Sequence, residues 1–141
     1  LMAKEGATVI LSDLQEGEGT AVSKQIIGNG GKCSFMKQDT TSEKGWREIC
    51  DYILERHGHL DILLNGAGVG SSAIEIEDMD FSIWRNCLSG NLDGVFLGCK
   101  YGIKAMRKGR GGSIINISSI LGFAGLATAT NYCASKGGVR L

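Results

Sequence analysis

The sequence predicts an α/β fold built on a parallel sheet. Short β-favouring runs alternate with longer amphipathic stretches along the whole 141 residues. Several of those runs are continuously apolar, as in strands covered on both faces. Small or polar residues stand at the carboxyl ends of the runs, where open α/β sheets bind their ligands. Such strand–helix–strand repeats close through right-handed crossovers.

The elements follow in order. Leu1 to Gly6 reads as the last turn of a helix closed by glycine. Ala7 to Ser12 (A-T-V-I-L-S) is a buried strand ending at Asp13. Gln15 to Ile27 is an amphipathic helix, with Ala21, Val22, Ile26 and Ile27 as its apolar residues and Gly28-Asn29-Gly30-Gly31 as its stop. Lys32 to Gln38 is the second strand. Asp39-Thr40-Thr41-Ser42 is a turn that caps a helix over Glu43 to His57, whose apolar face holds Trp46, Ile49, Ile53 and Leu54. Asp61 to Asn65 is the third strand and Gly66 to Asp78 a loop. One long helix is expected from Asp80 to Lys108, with Phe81, Trp84, Leu88, Leu92, Val95, Cys99, Ile103 and Met106 on its buried face. Ser113 to Ser119 is the fourth strand, Ile120 to Thr128 a loop of small residues, and Thr130 to Leu141 the start of another helix. There is no internal repeat, and residues 1–141 read as a single domain.

Composition narrows the function. Hydrophobic residues are 43% and charged residues 21%, ordinary for a globular chain. Fifteen basic and fifteen acidic residues cancel, and no charge run appears, which argues against nucleic-acid and membrane-surface partners. No apolar run is long enough to span a bilayer and no signal peptide is visible. The five cysteines (Cys33, Cys50, Cys87, Cys99, Cys133) are scattered and contain no C-x-x-C pair, so they read as reduced thiols of a cytoplasmic protein, and no metal site is expected.

Several residues could carry chemistry. Asp13 ends a strand where an acid can accept from the ribose hydroxyls of a dinucleotide and repel an extra phosphate; it could equally cap the next helix. Asn65-Gly66-Ala67-Gly68 lets a flat ligand approach the backbone, or simply turns the chain. Tyr132 and Lys136 lie one helical turn apart on one face. A phenol titrates near about 10, and a neighbouring ammonium stabilises its phenolate, so such a pair can move a proton at a substrate hydroxyl. Ser118-Ser119 ends the fourth strand, and Ser119 precedes Tyr132 by thirteen residues. A hydroxyl there can hold a substrate oxygen or cap a strand end. Asn91 falls inside the long helix, where a buried amide must be hydrogen-bonded. Gly90, Gly94, Gly98 and Gly102 form a stripe at every fourth residue, each costing roughly 1 kcal/mol against alanine. Close packing against the sheet or another subunit is the expected compensation.

In this order and spacing, Asp13, Asp39, Asn65-Gly66-Ala67-Gly68, Asn91, Ser119, Tyr132 and Lys136 resemble the short-chain dehydrogenase/reductase family. The resemblance covers essentially the whole chain. It implies a doubly wound, Rossmann-like sheet, here incomplete at both ends, and an oxidoreductase using NAD. Tyr132 would be the acid/base. Lys136 would assist its ionisation and hold the nicotinamide ribose, and Ser119 would position the substrate oxygen. Asn91 would anchor a water that links Lys136 to solvent. Asp13 would select NAD, Asp39 and the Thr40 backbone would contact the adenine, and Asn65, Ala67 and Gly68 would line the cofactor. The chemistry implied is hydride transfer to or from the carbinol carbon of an alcohol.

There are departures from the family pattern. The phosphate loop T-G-x-x-x-G-x-G is absent and is expected before Leu1, together with a strand that lies between the two halves of the sheet. Gly66 stands where the family usually has a second Asn, with a weaker hydrogen bond between strands as the expected effect. The substrate lid is expected beyond Leu141. The apolar loop residues Leu121, Phe123, Ala124, Leu126 and Ala127 suggest a hydrophobic secondary alcohol or ketone. A homotetramer or homodimer built on the long helix and the Tyr132 helix is implied by the same resemblance. Two alternatives share some features. A nucleotide-sugar epimerase or dehydratase has the Tyr and Lys but is generally longer. A non-catalytic nucleotide sensor has no use for the Ser–Tyr–Lys set.

Overall fold

A computed structural model describes residues 1–141. Its strands are β1 (Thr8–Asp13), β2 (Lys32–Lys37), β3 (Ile62–Asn65) and β4 (Ser113–Asn116). Its α-helices are α1 (Glu16–Gly28), α2 (Glu43–His57), α3 (Phe81–Leu88), α4 (Gly94–Met106) and α5 (Thr130–Arg140). Single 3-10 turns occupy Met2–Glu5, Ile76–Asp78 and Ile120–Gly122. No helix is long and apolar enough to cross a membrane.

Local chemistry sets the sharpest boundaries. Helix α2 starts where the Ser42 hydroxyl accepts from the Gly45 N–H at 3.1 Å, satisfying one of the free donors of the first turn. It stops at Gly58, whose φ of 78° is left-handed and suits a residue without Cβ. Trp46, Ile49, Cys50 and Ile53 are its buried residues. Trp46 and Cys50 pack with Tyr101 and Ala105 of α4 and with Leu60 and Leu63, forming the core. Glu43 accepts from Lys100 and, at 3.0 Å, from the Tyr101 hydroxyl. The Lys100 hydrogen bond, first, holds its carboxyl below the usual range.

Both strand pairs are parallel. Thr8 stands opposite Lys32 and Asp13 opposite Lys37, while Ile62 stands opposite Ser113 and Asn65 opposite Asn116. The pairs are not hydrogen-bonded to each other. A cavity of about 700 Å³ separates them, lined by all of β1, by Asp61 to Asn65, and by Trp46 and Ile49. The sequence reading expects two inner edges without a partner, and the inner edges of β1 and β3 are in that condition.

Two helix faces differ from the sequence reading. In α1 the buried residues are Gly19 and Ser23, whereas Val22 is 44% and Ile27 53% exposed. The aromatic ring of Phe35 decides this: it lies so close to Gly19 that a Cβ there would meet it at 2.0 Å. The long helix is not one regular helix. Ser89–Asp93 is a π-helical turn between α3 and α4. Its extra residue shifts the phase of everything after it. Beyond the turn Ile103, expected inside, is 43% exposed, while Gly94, Val95, Gly98, Tyr101, Gly102, Ala105 and Met106 are buried; ahead of it Phe81, the first residue of α3, is 74% exposed and Cys87 is buried. The strand expected to run to Ser119 ends at Asn116.

The glycine stripe faces the sheet and its loops. A Cβ at Gly98 would meet Asn65 Oδ1 at 2.2 Å, one at Gly102 would meet Leu63 Cδ2 at 2.6 Å, and one at Gly94 would meet Thr40 Oγ1 at 3.0 Å. Two outcomes follow for stability. Gly98→Ala gains helix propensity but overpacks, and is expected to destabilise the full-length protein by roughly 1–3 kcal/mol in denaturant unfolding; an unchanged or raised midpoint would refute the packing argument. Residues 1–141 expressed alone are expected to show no cooperative thermal transition, because the inner edges of β1 and β3 leave backbone groups without ladder partners and leave Ile62 and Leu64 exposed; a sharp calorimetric peak is the contrary result.

Candidate active site

The carboxyl ends of β3 and β4 meet the π turn and α5. There Asn91 is fully enclosed, at 0% exposure. Its Oδ1 accepts from Val69 N–H at 2.7 Å, and its Nδ2 donates to Val69 O and Ser135 Oγ, both at 3.0 Å. Ser135, also 0% exposed, donates back to Tyr132 O at 2.8 Å. The Cys87 thiol lies 3.5 Å from Asn91 Nδ2 and 3.9 Å from Ser135 Oγ. Burial pushes that thiol up, against the opposing effects of Ser135 and the Lys136 charge.

Lys136 lies one turn beyond Tyr132, with its Nζ 5.8 Å from the centre of the Tyr132 ring. Although the residue is 5% exposed, its ammonium has one protein acceptor, Ile117 O at 2.8 Å. A Cβ at Gly68 would stand 2.7 Å from Asn91 Oδ1 and 3.6 Å from Lys136 Nζ. Glycine at 68 therefore keeps open the space between the ammonium and the loop. Ser119 is extended, and its hydroxyl accepts from Leu121 N–H at 3.2 Å, capping the turn Ile120–Gly122. That turn packs on α5. Asn91, Gly68, Ser119, Tyr132 and Lys136 thus belong to one neighbourhood.

Asn65 and Ala67 border it. Asn65 is buried and donates through Nδ2 to Asn116 Oδ1 at 2.8 Å, so an amide still ties β3 to β4 beside Gly66. Asp13, Asp39 and Thr40 stand on the other strand pair. Asp13 is exposed and accepts from Gln15 N–H at 2.9 Å. Asp39 accepts from the Thr41 N–H and hydroxyl at 2.8 and 2.7 Å. Thr40 O accepts from Trp46 Nε1 at 2.8 Å. The sequence reading assigned no role to Ser135 or Cys87, and named Ser118 only together with Ser119. Its available signal was the position of Ser135 between Tyr132 and Lys136, where a helical serine back-bonds within its own turn.

A family model described as short chain dehydrogenase matches residues 1–141. The chain belongs to the short-chain dehydrogenase family. It is 41% identical over 141 residues to a cyclopentanol dehydrogenase of Comamonas testosteroni, covering 100% of this chain and 56% of that protein. It is 41% identical over 139 residues to an NADP-dependent (R)-specific alcohol dehydrogenase of Lentilactobacillus kefiri, covering 98% and 54%. A crystal structure of a short chain dehydrogenase from Mycobacterium smegmatis superposes with a TM-score of 0.91 at 29% identity, covering 97% of this chain and 57% of that one. The chain spans about half the length of these relatives. The fold is accordingly the Rossmann-like α/β fold of the short-chain dehydrogenases.

The thiols give a measurable consequence. Burial raises Cys87, and it raises Cys50 to about 11. A raised thiol holds less thiolate at a given pH and alkylates more slowly. In the folded full-length protein near pH 8, iodoacetamide is expected to label the half-buried Cys33, Cys99 and Cys133 first, and Cys50 and Cys87 only after unfolding. Peptide mass mapping that finds Cys87 among the first sites would contradict the enclosure of the Asn91 cluster.

Proposed function

We propose that the protein containing these residues is an NAD-dependent oxidoreductase acting on a hydrophobic secondary alcohol or its ketone. The observation that carries the reading is the Lys136 ammonium, buried one turn from Tyr132, with a single protein acceptor and an open face toward Gly68.

The residues suit a nicotinamide dinucleotide. Asp13, Gly66, Ala67 and Gly68 are exposed at the carboxyl ends of β1 and β3, the edge where such folds bind nucleotides. Two of the three Lys136 N–H groups are left for ribose hydroxyls. When bound, the cofactor supplies a hydride acceptor or donor for the carbinol carbon. On this reading Tyr132 takes or returns the hydroxyl proton, and Lys136 stabilises its anionic form. Ser119 orients the substrate oxygen. Asn91 fixes the Val69 loop and the Ser135 turn, and anchors the water that links Lys136 to solvent. Asp39 and the Thr40 backbone face the adenine end, and Asn65 supports the floor.

Asp13 supports NAD. One carboxylate oxygen is taken by Gln15, and the other is free for ribose hydroxyls and would repel a phosphate. Leu14, not a basic residue, follows it. The kefiri relative uses NADP, so the choice is a property to measure in this protein. For the substrate, Val69, Ile76, Ile120, Phe123 and Leu126 are all at least 49% exposed near the site. Their two loops are joined, Ile74 N–H donating to Thr128 O at 3.1 Å. The Comamonas relative is named for a cyclic alcohol, which fits an apolar surface of this kind. The exposed Phe96 and Ile103 on α4 support a homodimer or homotetramer. The glycine stripe is turned to the sheet and contributes nothing there. Five free thiols suit a cytoplasmic location.

The test is to assay the full-length gene product with NAD and NADP on a panel of secondary alcohols, beside Tyr132→Phe. The expected result is preference for NAD and a loss in the variant of roughly 10²–10⁴-fold in kcat. Preference for NADP would remove the role given to Asp13. A fully active Tyr132→Phe would remove the acid/base assignment. NAD binding with no turnover of any alcohol would favour a nucleotide sensor.

A further inference from the structure

We infer that Ser118 is a positioning residue that fixes Lys136 relative to Ser119. The inference rests on the reading above, in which those two residues serve one reaction. Three consecutive residues, Ile117 to Ser119, reach the turn between β4 and α5. The Ser118 hydroxyl donates to the Lys136 carbonyl at 2.7 Å. One residue earlier, the Ile117 carbonyl accepts from Lys136 Nζ at 2.8 Å. The same short segment therefore holds the lysine at its backbone and at its head, and its next residue is Ser119.

The surroundings make this a clamp rather than a chance contact. Gly122 approaches the same carbonyl so closely that a Cβ there would stand 2.7 Å from both Lys136 O and Ser118 Oγ. Further along α5, the Arg140 guanidinium lies 3.9 Å from the centre of the Phe123 ring. The segment from Ile117 to Phe123 thus follows α5 from Lys136 to Arg140. Without Ser118 the ammonium keeps its Ile117 contact and α5 keeps its Asn91–Ser135 bond, but the backbone of Lys136 loses its tie to the segment that carries Ser119. A displacement of about 1 Å at a reacting centre costs roughly 10²-fold in rate.

Steady-state kinetics of the full-length protein test this with Ser118→Ala, Ser118→Thr and Gly122→Ala. Ser118→Ala is expected to lower kcat roughly 10- to 100-fold while KM for alcohol and cofactor changes less than about twofold, by the same misplacement argument. Ser118→Thr keeps the hydroxyl and is expected to restore most of kcat. Gly122→Ala keeps every hydroxyl but wedges the segment from α5, and is expected to reproduce the kcat loss, so it carries the test if Ser118→Ala does not fold. A folded Ser118→Ala with unchanged kcat, a loss confined to KM, or Thr no better than Ala would overturn the clamp. So would unchanged kcat in a folded Gly122→Ala. Tyr132→Phe run alongside separates the two failures: if it stays active, the acid/base reading has failed; if it is dead while these variants are unaffected, only the clamp has.

Discussion

The buried carboxamide of Asn91 is the interaction on which the site depends. It joins a loop 22 residues upstream, through Val69, to a helix 44 residues downstream, through Ser135. An amide enclosed to this degree is costly unless its polar atoms are matched. The low dielectric that strengthens the matched bonds also penalises every arrangement that breaks them. The loop and α5 are therefore held to one mutual position. The π-helical turn makes this possible by re-aiming side chains within an otherwise straight helix. It also explains Gly68, since any larger residue would enter the space taken by Asn91 Oδ1.

Close approach is the second constraint, and glycine supplies it. Gly94, Gly98 and Gly102 bring α4 down onto Thr40, Asn65 and Leu63. Each sacrifices helix propensity of about 1 kcal/mol. The return is a short distance between α4 and β3 that a Cβ would not permit. Asn65 shows the consequence of that crowding. Its Nδ2 is bonded across the sheet to Asn116, whereas its Oδ1, pressed toward Gly98, has no hydrogen-bond partner. The helix and the strand meet there at a polar atom, and glycine is the residue that leaves room for it.

What was legible in the sequence was whatever local chemistry encodes. Helix α2 runs over Glu43–His57 as read, because Ser42 and Gly58 start and stop it within a few residues. The strands were found from short β-favouring or apolar runs between turn residues, with ends matching or off by up to three residues. Faces were harder, because a face is decided by what docks on it. Phe35 selects Gly19 over Val22 in α1, and no periodicity within α1 contains Phe35. The π turn changes a hydrogen-bond step and not a residue type, so an even spacing of apolar residues hid it. At the candidate site, Asn91, Tyr132 and Lys136 stood out in the sequence through their order and spacing taken together, each being a weak signal alone. The contacts of Ser118 and Ser135 could not be read, since they are made with partners 18 and 44 residues away in sequence.

The two strand pairs raise the question of what holds the two halves of the chain together. Asp13 and Asp39 belong to the β1–β2 half, and Tyr132 and Lys136 to the other, yet β1 and β3 share no hydrogen bond. Helices α2 and α4 join the halves. Trp46 and Cys50 pack on Tyr101 and Ala105, which is cohesive but non-directional. Direction comes from polar contacts across the same seam, Lys100 and the Tyr101 hydroxyl donating to Glu43, while Trp46 Nε1 on Thr40 O orients the ring within its own half. Thr40 also touches α4 at Gly94, three residues after Asn91. The turn that carries Asp39 and the turn that organises Lys136 therefore rest on neighbouring steps of one helical rod. A helix is stiff over such a distance, so α4 fixes the spacing between the turn that holds Asp39 and Thr40 and the turn that holds Asn91.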